Sequence, residues 1–290
     1  MLGPLLLAVG AGVAVLRLRA ARRTERAYAD VRPPGADGVV PGAEGFTLEG
    51  RTSRALLMLH GFGDTPQTLR YLGGRLHAAG FTVHAPLLPG HGRGLRDFAA
   101  ASAEDYASAA RDELARLRER ASWVGVIGLS MGGAIAARIV AEAEDARVLV
   151  LLAPYLTPPR AVALVGRTAP VWSVAVPYFG SRSGDSSVHD PVARAESFAY
   201  GVFPPRAVRA LCSTAAAGRR ALPSISVPTL VVNSREDNRI PFVLAEAATA
   251  SLAGPTERRW VTGCGHVITV DYCRDAVAEL VLDFLARHAN

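Results

Sequence analysis

Gly128-Leu129-Ser130-Met131-Gly132 sets a serine between two glycines, after the apolar run WVGVIGL (123–129) and before the helix-forming AIAARIVAEA (134–143). A strand that turns directly into a helix presents the corner side chain outward. It leaves no room for side chains two residues to either side. A serine at such a corner is a nucleophile for acyl transfer, and it needs a base. Chains with this turn run serine, then acid, then histidine. His266 and His288 are therefore the candidates once His189, inside a proline-rich insertion, is set aside. His266 follows a β-rich run in a Gly-Cys-Gly-His turn and His288 lies in the last turn of a terminal helix, so His266 is the expected base. The acid should end the preceding strand. PTLVVN (228–233) runs into Ser-Arg-Glu-Asp, which offers Glu236 and Asp237, while Asp271 is a rival expected instead to cap the last helix.

The elements that must position these residues follow a regular pattern. ALLMLH (55–60), FTVHAP (81–86), WVGVIGL, RVLVLLA (147–153), PTLVVN and ERRWVT (257–262) read as strands. Helical spacing is predicted over 66–79, where Gly80 ends it, and over 104–120, 134–143, 241–252 and 271–288. Strands that are continuously apolar and alternate with helices imply a mostly parallel sheet covered on both faces, the α/β class. Its sites lie at the carboxyl ends of strands, where every motif named here falls. Residues 154–224 break the pattern with many prolines, an aromatic cluster and one helix expected over 205–217. They read as a small helical cap inserted in a domain that spans 46–290.

GLSMGG, together with HGFGD (60–64), LPGHG (88–92) and GHVITVD (265–271), resembles the carboxylesterase and monoacylglycerol-lipase branch of the α/β-hydrolases over roughly residues 46–290. The resemblance implies an oxyanion hole formed by the backbone N–H groups of Phe62 and Met131, with His60 holding the loop. It also favours Asp237 as the acid, because the family commonly has Gly-x-x-Asp followed by a hydrophobic residue and proline, here Ile240-Pro241. Ser234 stands where that glycine is usual. The implied function is hydrolysis of a small acyl ester, of acyl-lipid or monoacylglycerol type, through an acyl-enzyme and without metal or cofactor. An amidase, peptidase, thioesterase or acyltransferase could use the same groups. A peptidase acting on free amino termini would want an acid in the cap, where Asp185, Asp190 and Glu196 are available. A non-catalytic binding module is the remaining alternative.

Composition removes other classes. All 32 basic residues are arginine, so lysine-dependent Schiff-base, Ser–Lys and phosphate-loop chemistry is excluded. The formal charge of +6 is concentrated in Arg17, Arg19, Arg22, Arg23 and Arg26, opposed before residue 30 only by Glu25, and no aromatic-interleaved basic stripe suits nucleic acid. His60, His84 and His91 lack metal-ligand spacing. Cys212, Cys264 and Cys273 have no CxxC spacing and read as three reduced thiols. Uncharged Leu2 to Leu16 followed by RLRAARR reads as a transmembrane anchor and basic juxtamembrane segment over 1–31, with a linker over 32–45. The positive-inside rule then places the catalytic domain in the cytoplasm. A signal peptide cleaved during secretion is the alternative, and the oligomeric state stays open.

Overall fold

The computed structural model describes residues 2–143, 145–180 and 187–289, so Asp185 lies outside the described residues. The strands are β1 (Phe46–Leu48), β2 (Arg54–Leu59), β3 (Thr82–Ala85), β4 (Trp123–Leu129), β5 (Leu149–Leu152), β6 (Phe179–Gly180), β7 (Val202–Phe203), β8 (Thr229–Ser234) and β9 (Thr256–Val261). The helices are α1 (Leu2–Val31), α2 (Arg70–Ala78), α3 (Leu95–Ala100), α4 (Ala103–Arg120), α5 (Met131–Glu142), α6 (Arg160–Trp172), α7 (Pro191–Ala195), α8 (Pro205–Ala221), α9 (Phe242–Ala248) and α10 (Arg274–His288). Seven strands form one sheet in the order β1-β3-β2-β4-β5-β8-β9. Every pairing is parallel except that of β1, an antiparallel edge strand three residues long that hydrophobic patterning could not distinguish from loop.

β4 is buried along its whole length, and its alternation divides it between two cores. Val124 and Val126 face a cluster that includes residues of α4, α5 and α8, while Trp123, Ile127 and Leu129 face one that includes residues of α2 and α10. The chain goes outward from β2 to β3 and then returns to lay β4 beside β2. The carboxyl ends of β2 and β4 thus meet where the strand order reverses, the point at which open α/β sheets form crevices. Both the His60–Asp64 loop and Ser130 emerge there.

The insertion over 154–224 holds more structure than its prolines suggested. α6 and α7 lie within it, and β6 pairs with β7. α8 runs longer than expected and belongs to the core: Ala210, Leu211 and Ala215 pack in the same cluster as α5. A Cβ on Gly218 would lie 2.5 Å from the Ala134 carbonyl oxygen, so glycine permits the two helices to touch backbone to backbone.

Among the described residues no helix is long and apolar enough to cross a membrane. The run from Leu2 to Leu16 rises only about 22 Å at 1.5 Å per residue, short of a hydrocarbon core of about 30 Å. The arginine-rich half of α1 docks on the body. Arg17 Nε donates to Ser173 O at 3.1 Å, Glu25 pairs with Arg96 at 2.8 Å and accepts from Tyr178 Oη, and Tyr28 stacks on Tyr200. Residues 32–45, read as a linker, are likewise stitched down. Val39, Val40 and Ala43 are buried with Leu87 and Phe198 beside them, and Val40 N–H donates to Gly92 O at 2.8 Å.

Candidate active site

The turn after β4 puts Ser130 at φ 55°, ψ −115°, a left-handed conformation that costs a non-glycine residue of order 1–3 kcal/mol. The surroundings hold it there. Ser130 N–H donates to Leu152 O at 2.9 Å, and its carbonyl accepts from Gly133 N–H and Tyr155 N–H. A Cβ on Gly128 would come within 2.3 Å of Gly132 O, and one on Gly132 within 2.1 Å of Leu59 O. Both flanking glycines are thus sterically required, as the local motif implied.

Ser130 Oγ lies 2.7 Å from His266 Nε2, and His266 Nδ1 lies 2.7 Å from Asp237 Oδ2. A carboxylate can only accept, so Nδ1 carries the proton and Nε2 offers its lone pair to the Ser130 hydroxyl. The side chain of Asp237 is only 3 % exposed. Burial pushes its carboxyl up, but His266 and the N–H groups of Ile240 and Arg239 outweigh burial and hold it below the usual carboxylate range. Those N–H groups reach Oδ1 at 2.9 and 2.7 Å, which leaves Oδ2 for the histidine.

The rivals lie elsewhere. Glu236 is exposed and accepts from Gly263 N–H. His288 sits at the end of α10 against the Phe284 ring. Asp271 does not cap α10 with its side chain, as the sequence suggested. Its carboxylate instead accepts the N–H groups of Gly265, His189, Asp190 and Tyr272, because the chain turns back on it before α10 begins.

The loop after β2 lies against the nucleophile: a Cβ on Gly61 would be 3.4 Å from Ser130 Cβ. Phe62 follows, and Met131 occupies the first position of α5, where a helix leaves its N–H groups free. His60 is fully buried, with Nδ1 2.9 Å from Gly61 O and Nε2 accepting Leu88 N–H at 3.0 Å. Burial, reinforced by neighbouring His91, holds its pKa well below the ordinary value, so it stays neutral and braces the loop. His91 is held down to about 4 by burial. His84 is bonded to Thr47 on the neighbouring strand, and no cluster that could hold a metal occurs among the described residues.

Asp64 is a buried acid beside this loop that sequence reasoning passed over. Its carboxylate accepts Thr65 N–H at 2.8 Å and Thr68 Oγ1 at 2.9 Å, yet burial pushes its pKa up to about 6. An unfolded aspartate titrates near 4. The fold therefore holds the proton more tightly than the unfolded chain, and stability is lost as pH rises through about 6. Asp64→Asn is expected to match the wild type in thermal melts near pH 4 and to exceed it by about 1–3 kcal/mol at pH 8. An equal margin at both pH values would contradict that ionisation penalty.

Two further features were not legible. Ser234, standing where glycine is usual, donates its hydroxyl to Cys264 O and so ties the end of β8 to the histidine loop. Cys264 and Cys273 form a disulfide, which corrects the reading of three free thiols; Cys212 alone is free. A spacing of nine residues matches no short cysteine motif, and only the fold of the His266 loop brings the two together.

The cap covers the loop after β2 with aromatic rings. Phe203 stacks on Phe62 at 5.7 Å and touches Phe179, which meets Trp172 at 5.4 Å. A separate groove of about 770 Å³ between α1, α6 and α8 is lined by Val13, Leu18, Val174 and Arg209 among others and includes none of Ser130, His266 or Asp237.

A model of the Alpha/beta hydrolase family matches residues 56–280. The thermostable monoacylglycerol lipase of Bacillus sp. (strain H-257) is 28% identical over 254 residues, covering 87% of this chain and 98% of that protein. The carboxylesterase of Bacillus subtilis (strain 168) is 28% identical over 246 residues, covering 83% and 96%. Among solved structures, one from work on two metagenome-derived lipolytic enzymes, LipS and LipT, superposes with a TM-score of 0.79 at 28% identity, covering 86% of this chain and 100% of that one.

Proposed function

The chain belongs to the alpha/beta hydrolase family, and from that premise we propose that it is a serine hydrolase cleaving carboxylic esters of acyl-lipid or monoacylglycerol type. The observation that carries this reading is the unbroken relay of two 2.7 Å hydrogen bonds from Ser130 through His266 to Asp237. The lipase and carboxylesterase names of relatives aligned over most of their length support the ester class.

In the proposed reaction Ser130 Oγ attacks the ester carbonyl as His266 Nε2 takes its proton, and the carbonyl π pair moves to oxygen. The N–H groups of Phe62 and Met131 stabilise that oxyanion; losing one such donor typically costs about 2.7–4 kcal/mol of barrier. Collapse expels the alcohol, which receives the proton from His266 and leaves an acyl-enzyme. Water then attacks with His266 again as base, releasing acid and free serine. Asp237 keeps the imidazole in the required tautomer and stabilises the imidazolium.

The aromatic row from Phe62 through Phe203 and Phe179 to Trp172 supports an acyl chain lying under the cap. Of the two placements the N-terminus allowed, the Cys264–Cys273 disulfide supports export, because such bonds persist in oxidising compartments.

Hydrolysis of nitrophenyl esters from acetate to palmitate by the full chain tests the substrate class. A medium- or long-chain optimum is expected. An optimum at acetate would remove the lipid reading, and a folded protein inert on every ester would redirect it to amides or thioesters.

A further inference from the structure

His266 sits on a short ring of chain, Cys264 to Cys273, closed by the disulfide. Inside that ring lies Asp271, wholly buried, whose carboxylate accepts four main-chain N–H groups. Oδ2 accepts Gly265 N–H at 2.7 Å and His189 N–H at 2.8 Å, while Oδ1 accepts Asp190 N–H and Tyr272 N–H at 2.9 Å. Two of these donors belong to the ring and two to the cap. Each carboxylate oxygen therefore holds one of each.

A second observation points the same way. Val267 N–H, next to the histidine, donates to Ser187 O at 3.1 Å. A Cβ on Gly265 would stand 2.6 Å from that same carbonyl oxygen, so only glycine lets the cap backbone press against the ring. Arg239, two residues past Asp237, donates its Nε to Ser187 Oγ at 2.6 Å. The cap segment from Ser187 to Asp190 thus touches the loops of both the base and the acid.

We propose that Asp271 is a positioning residue that joins the His266 ring and the cap segment Ser187–Asp190 into one unit, so that the base is in register only while the cap is seated. The inference rests on the proposed role of His266. An asparagine cannot replace the carboxylate, because its NH2 group would face two N–H donors and one ring–cap pair of bonds would be lost. Each lost bond to a charged acceptor is a substantial one.

The test compares the full chain with its Asp271→Asn and Gly265→Ala variants. Amide hydrogen exchange would be followed at 187–190 and 264–273. Catalytic register would be read from the rate at which a fluorophosphonate labels Ser130, and from kcat and KM on a nitrophenyl ester. For Asp271→Asn, protection should fall in both segments together. Labelling and kcat should drop roughly 10–100-fold, with KM changing less than about twofold. Gly265→Ala should give the same paired loss. Loosening of the ring with the cap segment still protected, or wild-type labelling in Asp271→Asn, would overturn the proposal.

If Asp271→Asn does not fold, exchange of the wild type in rising denaturant decides. The amides of His189, Asp190, Gly265 and Tyr272 should open as one unit, and separate openings would refute the coupling. A wild type that exchanges as one unit but is not labelled would instead refute the catalytic reading and leave the coupling standing.

Discussion

Ser130→Ala in the full chain is expected to lower kcat on a short nitrophenyl ester by about a millionfold, the loss typical when the nucleophile of a complete triad is removed. The substitution deletes Oγ and nothing else that the turn depends on. Both glycine contacts, the Leu152 hydrogen bond and the two N–H groups that reach the Ser130 carbonyl are backbone features and persist. Thermal stability should therefore stay close to wild type, and labelling by a fluorophosphonate should disappear. Residual turnover above the uncatalysed rate would come from the oxyanion donors and substrate binding alone. Activity retained at wild-type level would remove Ser130 from the mechanism and, with it, the hydrolase reading built on it.

The second large effect is assigned to Asp237. In Asp237→Asn the amide oxygen can still accept from Arg239 and Ile240, so the loop keeps its shape. The amide NH2 then points at His266 Nδ1 and forces that nitrogen to accept. The ring proton moves to Nε2, against Ser130 Oγ, and the base is lost. A drop in kcat of about 10⁴-fold with little change in KM is expected. Glu236→Gln, at an exposed site away from the relay, should leave kcat within about twofold, since surface substitutions away from such features change little. The order Asp237→Asn far below Asp271→Asn, with Glu236→Gln near wild type, separates the acid in the relay from the carboxylate that positions the ring. Equal losses at Asp237 and Asp271 would undo that division.

The central sheet and the turn carrying Ser130 were legible because their determinants are local. WVGVIGL is apolar throughout, as a strand covered on both faces must be, and the glycines at 128 and 132 answer a collision within a few residues of each other. His266 and Asp237 were found by chain order and by the resemblance of their loops, and the structure brings both to Ser130. Element ends were less legible. The helix expected over 241–252 is confined to Phe242–Ala248, and β1 was missed because three residues show no periodicity.

The N-terminus shows a different limit, because what its polar residues meet cannot be read from the run that carries them. Glu25, Tyr28 and Arg17 find partners at Arg96, Tyr200 and Ser173, and those pairings leave no trace in the run itself. Val39, Val40 and Ala43 lie in a stretch whose prolines and glycines suggested a linker, yet they are buried. Burial depends on which surfaces arrive opposite them.

By itself the sequence determined the fold class, the corner that presents Ser130, and the identities of the residues able to act as base and acid. The fold class and the corner follow from steric and hydrophobic rules that operate over one strand and one turn, whereas the base and acid came from chain order and from the resemblance of their loops. Only the tertiary structure decided that Cys264 meets Cys273, that Ser234 holds the Cys264 carbonyl, and that Asp271 binds cap and histidine ring together. Asp271 and His189 are 82 positions apart, and a backbone N–H looks the same in every residue but proline. No pattern of side chains could announce that contact. It exists because folding brings a buried carboxylate to four donors that would otherwise go unpaired.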